Sequence, residues 1–358
     1  QVTTTNFTTR FFWFGTYSSI NLCNIVLDNL YLEENPVIVA QLEGEAKFLR
    51  GMQYFEMVRF YALPFELGGS NDQPGLPLVF DGVTDLGDVV YPSRSNVGEV
   101  YAQIINDLSD AYELLPPDNG FRADRFAARA LLARVYLQQG NYAAARDAAH
   151  DVLQNSGHLL APNLASAFNN ESDGIEDIFA WQITTQDGFN DFNNYWATID
   201  FGGRSQTADI TIEEPFFDIF NMQEGRAEFF YEGNGTVVSS KWQGQFANVP
   251  YIRRAEMHLI RAECNFREET TLGLIPEDEI NMLRARSNAE PITGVTLDDI
   301  LQERRRELAF EGHRLHDAKR LQEDIDGIPY NADQLVMPLP QDEVDVNPNL
   351  DQNPGYNN

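Results

Sequence analysis

The segment that most restricts the fold is ADRFAARALLARVYLQQGNYAAARDAAHDVLQ, residues 123–154, where two helical patterns flank a QGN turn. Apolar residues recur at helical spacing on both sides of the turn: Leu132, Ala133 and Tyr136 before it, and Ala145, Ala149 and Val152 after it. Small residues at the contact let two backbones approach closely, which is typical of a tetratricopeptide hairpin. Because one clean repeat cannot form a solenoid, the other hairpins must be irregular partners stacked around it.

Two further segments show one buried helix face each. In EAKFLRGMQYFEMVRFYA the face consists of Phe48, Met52, Phe55, Val58 and Ala62, and Pro64 should end that helix. In YIRRAEMHLIRAECNF the corresponding positions are Ile252, Ala255, Leu259, Ala262 and Phe266. The sequence therefore predicts a mainly α protein, an α-α superhelix of tetratricopeptide-like helical hairpins.

Residues 161–249 differ in composition from the helical blocks, because glycine, asparagine and aromatic residues replace alanine and leucine. Strand-like runs occur in GIEDIFAWQIT and GTVVSSKW, each beginning at a glycine. We expect a single domain over 1–358, with a helical scaffold at 10–160 and 250–325, an irregular, loop-rich ligand-binding lobe at 161–249 that contains short β strands, and an ordered coil tail at 326–358.

Charge and cysteine content exclude several classes of function. Fifty-five acidic against 25 basic residues give a formal net charge of −30, so the mean field repels nucleic acid and anionic lipid. We expect no nucleic-acid partner. Cys23 and Cys264 each lie in a helix-like run and are expected to be buried free thiols. No apolar run approaches the roughly 18 residues of a membrane-spanning helix.

The segment ELAFEGHRLHDAKR, residues 307–320, could be a catalytic cluster or scaffold. Scaffold is favoured because leucines recur every seven residues and oppositely charged side chains are spaced i, i+3: Leu301, Leu308 and Leu315, with Glu303–Arg306, Glu311–Arg314 and Asp317–Arg320. Gly312 should mark a place where the helix changes direction or where another backbone comes close. The alternative is a metal-dependent hydrolase in which His313 and His316 bind the metal, with His258 as a remote third ligand. The H-x-x-H spacing supports it weakly, so no metal or other cofactor is expected.

Five ordered segments together resemble the SusD/RagB family: EAKFLRGMQYFEMVRFYALPF, ADRFAARALLARVYLQQGNYAAARDAAHDVL, YIRRAEMHLIRAEC, ERRRELAFEGHRLHDAKR and MPLPQDEVDVNPNLDQNPGY. The resemblance implies a surface-exposed outer-membrane lipoprotein that holds a glycan, or another nutrient, against a TonB-dependent, SusC-like transporter. It implies a binding protein and not an enzyme, and a scaffold role for ELAFEGHR. Cys23 lies within a helix-like run, so the membrane is expected to be reached only through a lipid anchor that is not present in this chain.

The expected ligand site lies in DGFNDFNNYWATIDFGGRS, residues 187–205. Sugar rings present flat C–H faces, which stack on exposed aromatic rings flanked by short polar side chains. Aromatic and amide residues alternate here without a helical stripe that could bury every ring. We predict a platform of Tyr195 and Trp196, supported by Phe192, Asn194 and Arg204; Phe189 belongs to the same aromatic set. Trp13, Trp181 and Trp242 are expected to be core residues.

The ligand is expected to be a neutral glycan. Residues 186–246 contain ten acidic residues and only three cations, Arg204, Arg226 and Lys241, which disfavours a uronate or sulfated polymer. A SusD-like protein that binds a non-glycan nutrient such as a peptide is the alternative within the family. The isolated chain is expected to be monomeric, with the helical body forming the face toward the transporter.

Overall fold

The computed structural model describes residues 2–186, 188, 190–220 and 224–356. The chain divides into two compact units, one of Gln1–Asn141 with Leu315–Asn358 and the other of Tyr142–Arg314. The helices of the described residues are α1 (Phe7–Asp28), α2 (Pro36–Tyr61), α3 (Val97–Leu114), α4 (Arg125–Gln139), α5 (Tyr142–Asn155), α6 (Asp191–Trp196), α7 (Arg254–Arg267), α8 (Pro276–Arg286), α9 (Leu297–Glu307), α10 (Arg314–Arg320) and α11 (Gln341–Val346). The predicted mainly α class is confirmed.

The first unit is built on long helices whose ends are fixed by polar caps. The side chain of Asn6 accepts from Thr9 N at 3.1 Å at the start of α1, and Asp124 accepts from Ala127 N at 2.8 Å at the start of α4. Gly140 ends α4 with φ at +72°, a left-handed conformation that glycine adopts without strain. Local sequence therefore sets the boundaries of these helices.

Helix α2 is the central helix of this unit, and it packs against both α1 and α3. All five residues predicted for its buried face are buried, and the helix ends at Tyr61, before Pro64. A Cβ at Gly51 would lie 3.1 Å from a side-chain carbon of Leu108 on α3. Glycine at this position permits the close α2–α3 approach.

In the second unit α7 packs against α5, α8 and α9. Its core consists of Ala255, Leu259, Ala262, Ile280, Leu283, Ile300 and Leu308. Ile252, predicted as part of a helical pattern, instead lies in strand β4, because the helix begins only at Arg254. The prediction for Ile252 was wrong because its apolar spacing fits both a buried helix face and the end of a strand.

The described residues of the second unit include four short strands: β1 (Asp177–Trp181), β2 (Phe230–Gly233), β3 (Thr236–Ser239) and β4 (Val249–Arg253). They form two antiparallel pairs, β1 with β4 and β2 with β3. The β1–β4 pair contains register shifts beside Phe179. Both segments predicted as strand-like contain a strand, β1 in one and β3 in the other.

The segment predicted as one charge-laced helix is two helices with a turn between them. Helix α9 ends at Glu307 and α10 begins at Arg314, and the turn contains Phe310 at φ +65° and Gly312 at φ +84°. The change of direction expected at Gly312 is confirmed. No helix in the described ranges has the length and apolar character needed to span a membrane.

Candidate functional site

Two buried asparagines position the short helix α6. Asn190 caps it, since its Oδ1 accepts from Asn193 N at 2.6 Å while its Nδ2 donates to Gly244 O at 3.0 Å and Ala247 O at 3.1 Å. Asn193 Nδ2 donates to the carbonyls of Phe201, Trp242 and Gln243 at 3.0, 3.0 and 3.1 Å. These bonds fix the helix that carries four of the five predicted site residues.

Tyr195 and Arg204 are in direct contact. The guanidinium carbon of Arg204 lies 4.3 Å from the centre of the Tyr195 ring, and Arg204 Nε donates to Asp209 Oδ2. The main chain joins the same residues, because Arg204 N donates to Asn194 O at 3.2 Å and Asp209 N donates to Tyr195 O at 3.0 Å. The hydrogen bond to Asp209 raises the pKa of Arg204, which stays charged.

This stack is open to solvent. Tyr195 is 38% exposed, and the side chain of Arg204 is 51% exposed. The guanidinium of Arg204 lies over one face of the Tyr195 ring and presents N–H donors, and Asp209 presents a carboxylate acceptor. Fixed donors and acceptors next to an aromatic ring are the arrangement that a sugar ring and its hydroxyls require.

The remaining predicted residues point to different neighbours. Phe192 is 37% exposed, and its ring centre lies 4.5 Å from that of the buried Trp242. Trp196 is half-buried and lies 5.3 Å, centre to centre, from Phe310. The half-buried Asn194 contributes its backbone carbonyl to Arg204. The structure thus brings Tyr195 and Arg204 together, and it places Phe192 and Trp196 partly against the interior of the unit. Phe189 lies outside the described residues.

Trp196 packs against a hydrophobic cluster of Ala161, Leu164, Ala167, Phe168, Trp242 and Val249. The other neighbour of Trp196 is Phe310, which belongs to a group of aromatic rings. The ring centre of Phe310 lies 4.7 Å from that of Phe216 and 6.1 Å from that of Phe230. Sequence reasoning missed Phe310 and Asp209 as neighbours of the site. Phe310 occupies a left-handed backbone position that a bulky residue rarely adopts, so its direction could not be read from the pattern.

The glutamates on either side of Phe310 in the sequence, Glu307 and Glu311, belong to a buried ion network. Its members are Glu176, Glu303, Glu307, Glu311, Arg226, Arg253, Arg286 and Lys241. Arg253 alone contacts Glu176 at 2.5 Å, Glu307 at 3.2 Å and Glu311 at 2.8 Å. Glu307 and Glu311, the two glutamates of ELAFEG, therefore anchor the turn that contains Phe310.

The charges in this network stabilise one another. Burial alone would raise the pKa of Glu307, but Arg286, Arg253 and Arg226 hold it well below its usual range. Burial likewise opposes ionisation of Glu311, and Arg253 and Lys241 lower its pKa on balance. Both glutamates are ionised at neutral pH, and they act as the counter-ions of the surrounding cations.

Two of the three i, i+3 ion pairs predicted for this segment are confirmed, Glu303–Arg306 at 3.4 Å and Asp317–Arg320 at 2.7 Å. Glu311 contacts Lys241 at 2.6 Å as well as Arg253. These interactions are those of a scaffold segment.

The two histidines of the alternative metal site belong to different units. His313 Nδ1 lies 3.9 Å from Glu256 Oε1, and the ring of His316 packs edge-on against Phe60 at 4.8 Å. Within the described ranges, no group of three or more His, Cys, Asp or Glu side chains is arranged to hold a metal ion.

The tryptophans predicted as core residues have mixed outcomes. Trp13 and Trp242 are buried, at 2% and 5% exposure. The prediction for Trp181 is wrong, because this residue at the end of β1 is 39% exposed. The apolar run around it predicted a strand correctly but did not show which side of the strand lies inside.

The first unit contains a pocket of about 290 Å³. It is lined by Trp13, Tyr17, Ile20, Asn21, Pro77, Val79, Val83, Val89, Val90, Tyr91, Pro92, Glu343, Val346, Asn347 and Leu350. None of the five predicted site residues lines it.

Comparison with known proteins assigns this architecture to the SusD type of fold. A SusD superfamily protein from Bacteroides thetaiotaomicron superposes with a TM-score of 0.85 at 24% identity, covering 96% of this chain and 85% of that one. A SusD-like carbohydrate binding protein from Bacteroides vulgatus gives a TM-score of 0.74 at 25% identity, covering 88% and 70%. A SusD-like protein of Formosa agariphila is 25% identical, over 96% of this chain and 80% of its own length.

Two family models also match. One, described as "Starch-binding associating with outer membrane", covers residues 1–137, and the other, described as "SusD family", covers residues 223–327. These two matches, together with the SusD-like relatives, support the SusD/RagB family that the ordered motifs predicted. SusD-like proteins are generally non-catalytic binding proteins associated with the outer membrane.

Proposed function

We propose that this protein is a non-catalytic glycan-binding protein of the outer cell surface, which captures an oligo- or polysaccharide and delivers it to a TonB-dependent, SusC-like transporter. The observation that carries the proposal is the solvent-open stack of Tyr195 and Arg204 on the fixed helix α6. The starch-binding description of the matched family and the carbohydrate-binding relative of similar fold support the ligand class.

The site favours an uncharged glycan. The one cation in the stack, Arg204, already pairs with Asp209, so a sulfate or carboxylate on the ligand would compete with an existing partner. The surrounding segment is strongly acidic, and its field repels polyanions. Arg204 then serves as a donor to sugar hydroxyls and not as an anion receptor.

Isothermal titration calorimetry against neutral, uronate-containing and sulfated glycans tests this proposal. We expect binding to at least one neutral glycan with a Kd in the micromolar range or weaker, about −8 kcal/mol or less in magnitude, because a delivery protein must release its cargo. Preference for a sulfated polymer would refute the neutral assignment. Binding of peptides alone would favour the non-glycan alternative, and glycan turnover would favour a hydrolase.

For the transporter, we infer that the partner face lies on the helical body. Helix α1, the segment between α1 and α2, and the start of α2 expose a set of large apolar side chains: Phe7, Phe11, Leu22, Val26, Tyr31, Leu32, Val37 and Ile38. Exposed apolar surface of this extent is typical of protein contact sites, and a stable complex buries more than about 1,000 Å².

The partner face can be tested separately from the glycan site. A double substitution of Phe11→Asp and Val37→Asp should reduce co-purification with the transporter and leave glycan affinity unchanged. Tyr195→Ala, as the matched control, should show the opposite pattern. Co-purification that survives the double substitution would exclude this face.

A further inference from the structure

The pocket of the first unit contains none of the residues proposed to bind the glycan. Its volume is about 290 Å³, and its lining comes from helix α1, the segment of residues 77–92 and the tail that includes α11. An apolar cavity of about 150 Å³ can hold a benzene ring, whereas pockets for drug-sized ligands begin at about 300 Å³. The pocket is therefore of a size for one or two large side chains.

The rim of the pocket is apolar and open to water. Val90 is 58% exposed and Val346 is 62% exposed, and both line the pocket. Trp13 and Ile20, which also line it, are buried. Exposed apolar side chains around an apolar cavity are typical of a site that contacts another molecule.

Two asparagines tie the walls of the pocket together. Asn21 on α1 accepts from Val83 N at 2.7 Å and donates to Val83 O at 3.0 Å. Asn347 in the tail donates from Nδ2 to Pro92 O at 2.9 Å. The walls are thus held in place without a ligand, and both amide groups are engaged with the main chain. Because a sugar needs polar groups that can reach its hydroxyls, these amides do not favour a glycan here.

Among the residues that the structure describes in the pocket lining, Glu343 is the only one with a charged side chain. It is half-buried, and the indole of Trp13 forms a hydrogen bond with it. Burial raises the pKa of Glu343, the hydrogen bond from Trp13 lowers it in part, and the neighbouring Asp342 raises it again. A cation placed beside Glu343 would stabilise its carboxylate.

The surroundings of Glu343 attract positive charge. Helix α11 has the sequence QDEVDV, with three acidic residues and no basic one. Arg10 binds Asp342 at 2.6 Å, and both side chains are exposed. The charge of Arg94 acts on Tyr17 in the lining, but the guanidinium of Arg94 is engaged by main-chain carbonyls. An apolar ligand that carries a basic group therefore fits this pocket better than an acidic one does.

We propose that the pocket binds a peptide segment of a partner protein, which inserts one aromatic or aliphatic side chain into the cavity and places a lysine or arginine beside Glu343. The inserted side chain gains by leaving water, and the basic group pairs with the carboxylate. A peptide is favoured over a small molecule because the apolar surface continues outside the cavity at Val90 and Val346, where the bound chain can extend.

This surface differs from the transporter face proposed above. Phe11 and Val37, the residues chosen to test that face, do not line the pocket. The inference also stands apart from glycan binding, since it uses none of the same residues. A failure of either earlier proposal therefore leaves it unaffected.

Selection from a phage-displayed library of random peptides tests the proposal. The library is first depleted on Val346→Lys and then selected on wild type, and enriched peptides are titrated by fluorescence anisotropy. We expect them to carry a large apolar residue next to lysine or arginine. Val346→Lys and Val90→Lys should each weaken binding about tenfold or more, because each puts a cation on the apolar rim. The matched control Phe121→Lys, an exposed ring of the same unit outside the pocket, should bind like wild type.

Glu343→Gln separates the charge contact from the apolar contact. It should weaken binding of an enriched peptide about fivefold, and high salt should reduce the difference from wild type. A peptide whose basic residue is replaced by glutamine should bind wild type and Glu343→Gln equally. Equal binding of the original basic peptide to both proteins would overturn the role of Glu343.

Other results would overturn the proposal as a whole. These are a selection that enriches no peptide, enriched peptides without a basic residue, and enriched peptides that bind Val90→Lys as tightly as wild type. Dimerisation of wild type in sedimentation velocity that Val346→Lys abolishes would assign the pocket to a second copy of the chain. Since Val90 and Val346 are exposed, both lysine variants should keep the wild-type thermal midpoint, and either one decides the test if the other does not fold.

Discussion

Replacing Glu307 by glutamine removes one negative charge from the centre of the buried ion network. The Glu307 carboxylate is inaccessible to solvent and contacts Arg253 at 3.2 Å, Arg226 at 3.4 Å and also Arg286. Glutamine keeps the shape but leaves three buried guanidinium groups short of a counter-ion. Breaking a buried ion pair by removing one partner costs about 3 to 5 kcal/mol, so we expect a loss of that size in the free energy of unfolding.

The expected change in thermal midpoint follows from the size of the unit. The second unit spans residues 142–314, and a domain of about 150–250 residues loses roughly 2 to 4 °C for each kcal/mol. The midpoint of Glu307→Gln should therefore fall by roughly 6 to 20 °C in differential scanning calorimetry. Glu268→Gln, an exposed glutamate in the same unit, is the matched control and should stay within about 0.5 kcal/mol of wild type.

The pH dependence of stability tests the same prediction in a second way. Because the folded pKa of Glu307 lies below its unfolded value, its stabilisation is complete above the unfolded pKa and is lost as the pH falls toward the folded one. The difference between wild type and Glu307→Gln should thus be largest near pH 7 and shrink below about pH 4. A midpoint within 2 °C of wild type at pH 7, or a difference that grows on acidification, would refute this account of the network.

Three further outcomes are expected. Trp196→Ala should abolish measurable glycan binding and also lower stability by roughly 2 to 4 kcal/mol, since the ring packs against the core cluster, whereas unchanged binding by calorimetry would remove Trp196 from the site. Asp317→Ala should lower the free energy of urea unfolding and leave glycan specificity unchanged, because Asp317 holds the buried Arg320; retained stability with lost binding would contradict it. Burial raises the pKa of Asp177 to about 7, so the folded state loses stability relative to the unfolded state as the pH rises from the unfolded pKa of about 4 to about 7, and the loss is complete above that. The thermal midpoint of Asp177→Asn relative to wild type should therefore be higher at pH 8 than at pH 4, and parallel pH profiles for the two proteins would exclude this.

The helical part of the fold could be predicted because its signals are local. The face of α2, the caps and Gly140 each depend on residues within a few positions of one another, and the structure agrees with them. The boundary between β4 and α7 could not be placed, since Ile252 fits both periodicities. The break at Phe310 depends on a left-handed backbone angle that local sequence does not favour for a bulky residue.

The candidate site, like the fold, could be predicted from the sequence only in part. The segment of α6 could be found from composition, because aromatic and amide residues concentrate there. The roles of individual rings could not be read, because a helix of six residues has no stripe and its orientation is set by Asn190 and Asn193 through bonds to distant backbone. Trp181 was misjudged for a related reason: which face of a two-stranded sheet is covered depends on residues far away in sequence.

The most direct test of the central claim is calorimetry of Tyr195→Ala with whichever neutral glycan the wild-type protein binds best. Tyr195 is exposed, and its main contact is the guanidinium of Arg204, so its removal should cost no more than about 1 kcal/mol of stability. The account predicts a loss of glycan affinity of at least tenfold with a thermal midpoint close to that of wild type. A Tyr195→Ala protein that binds the glycan with wild-type affinity would contradict it.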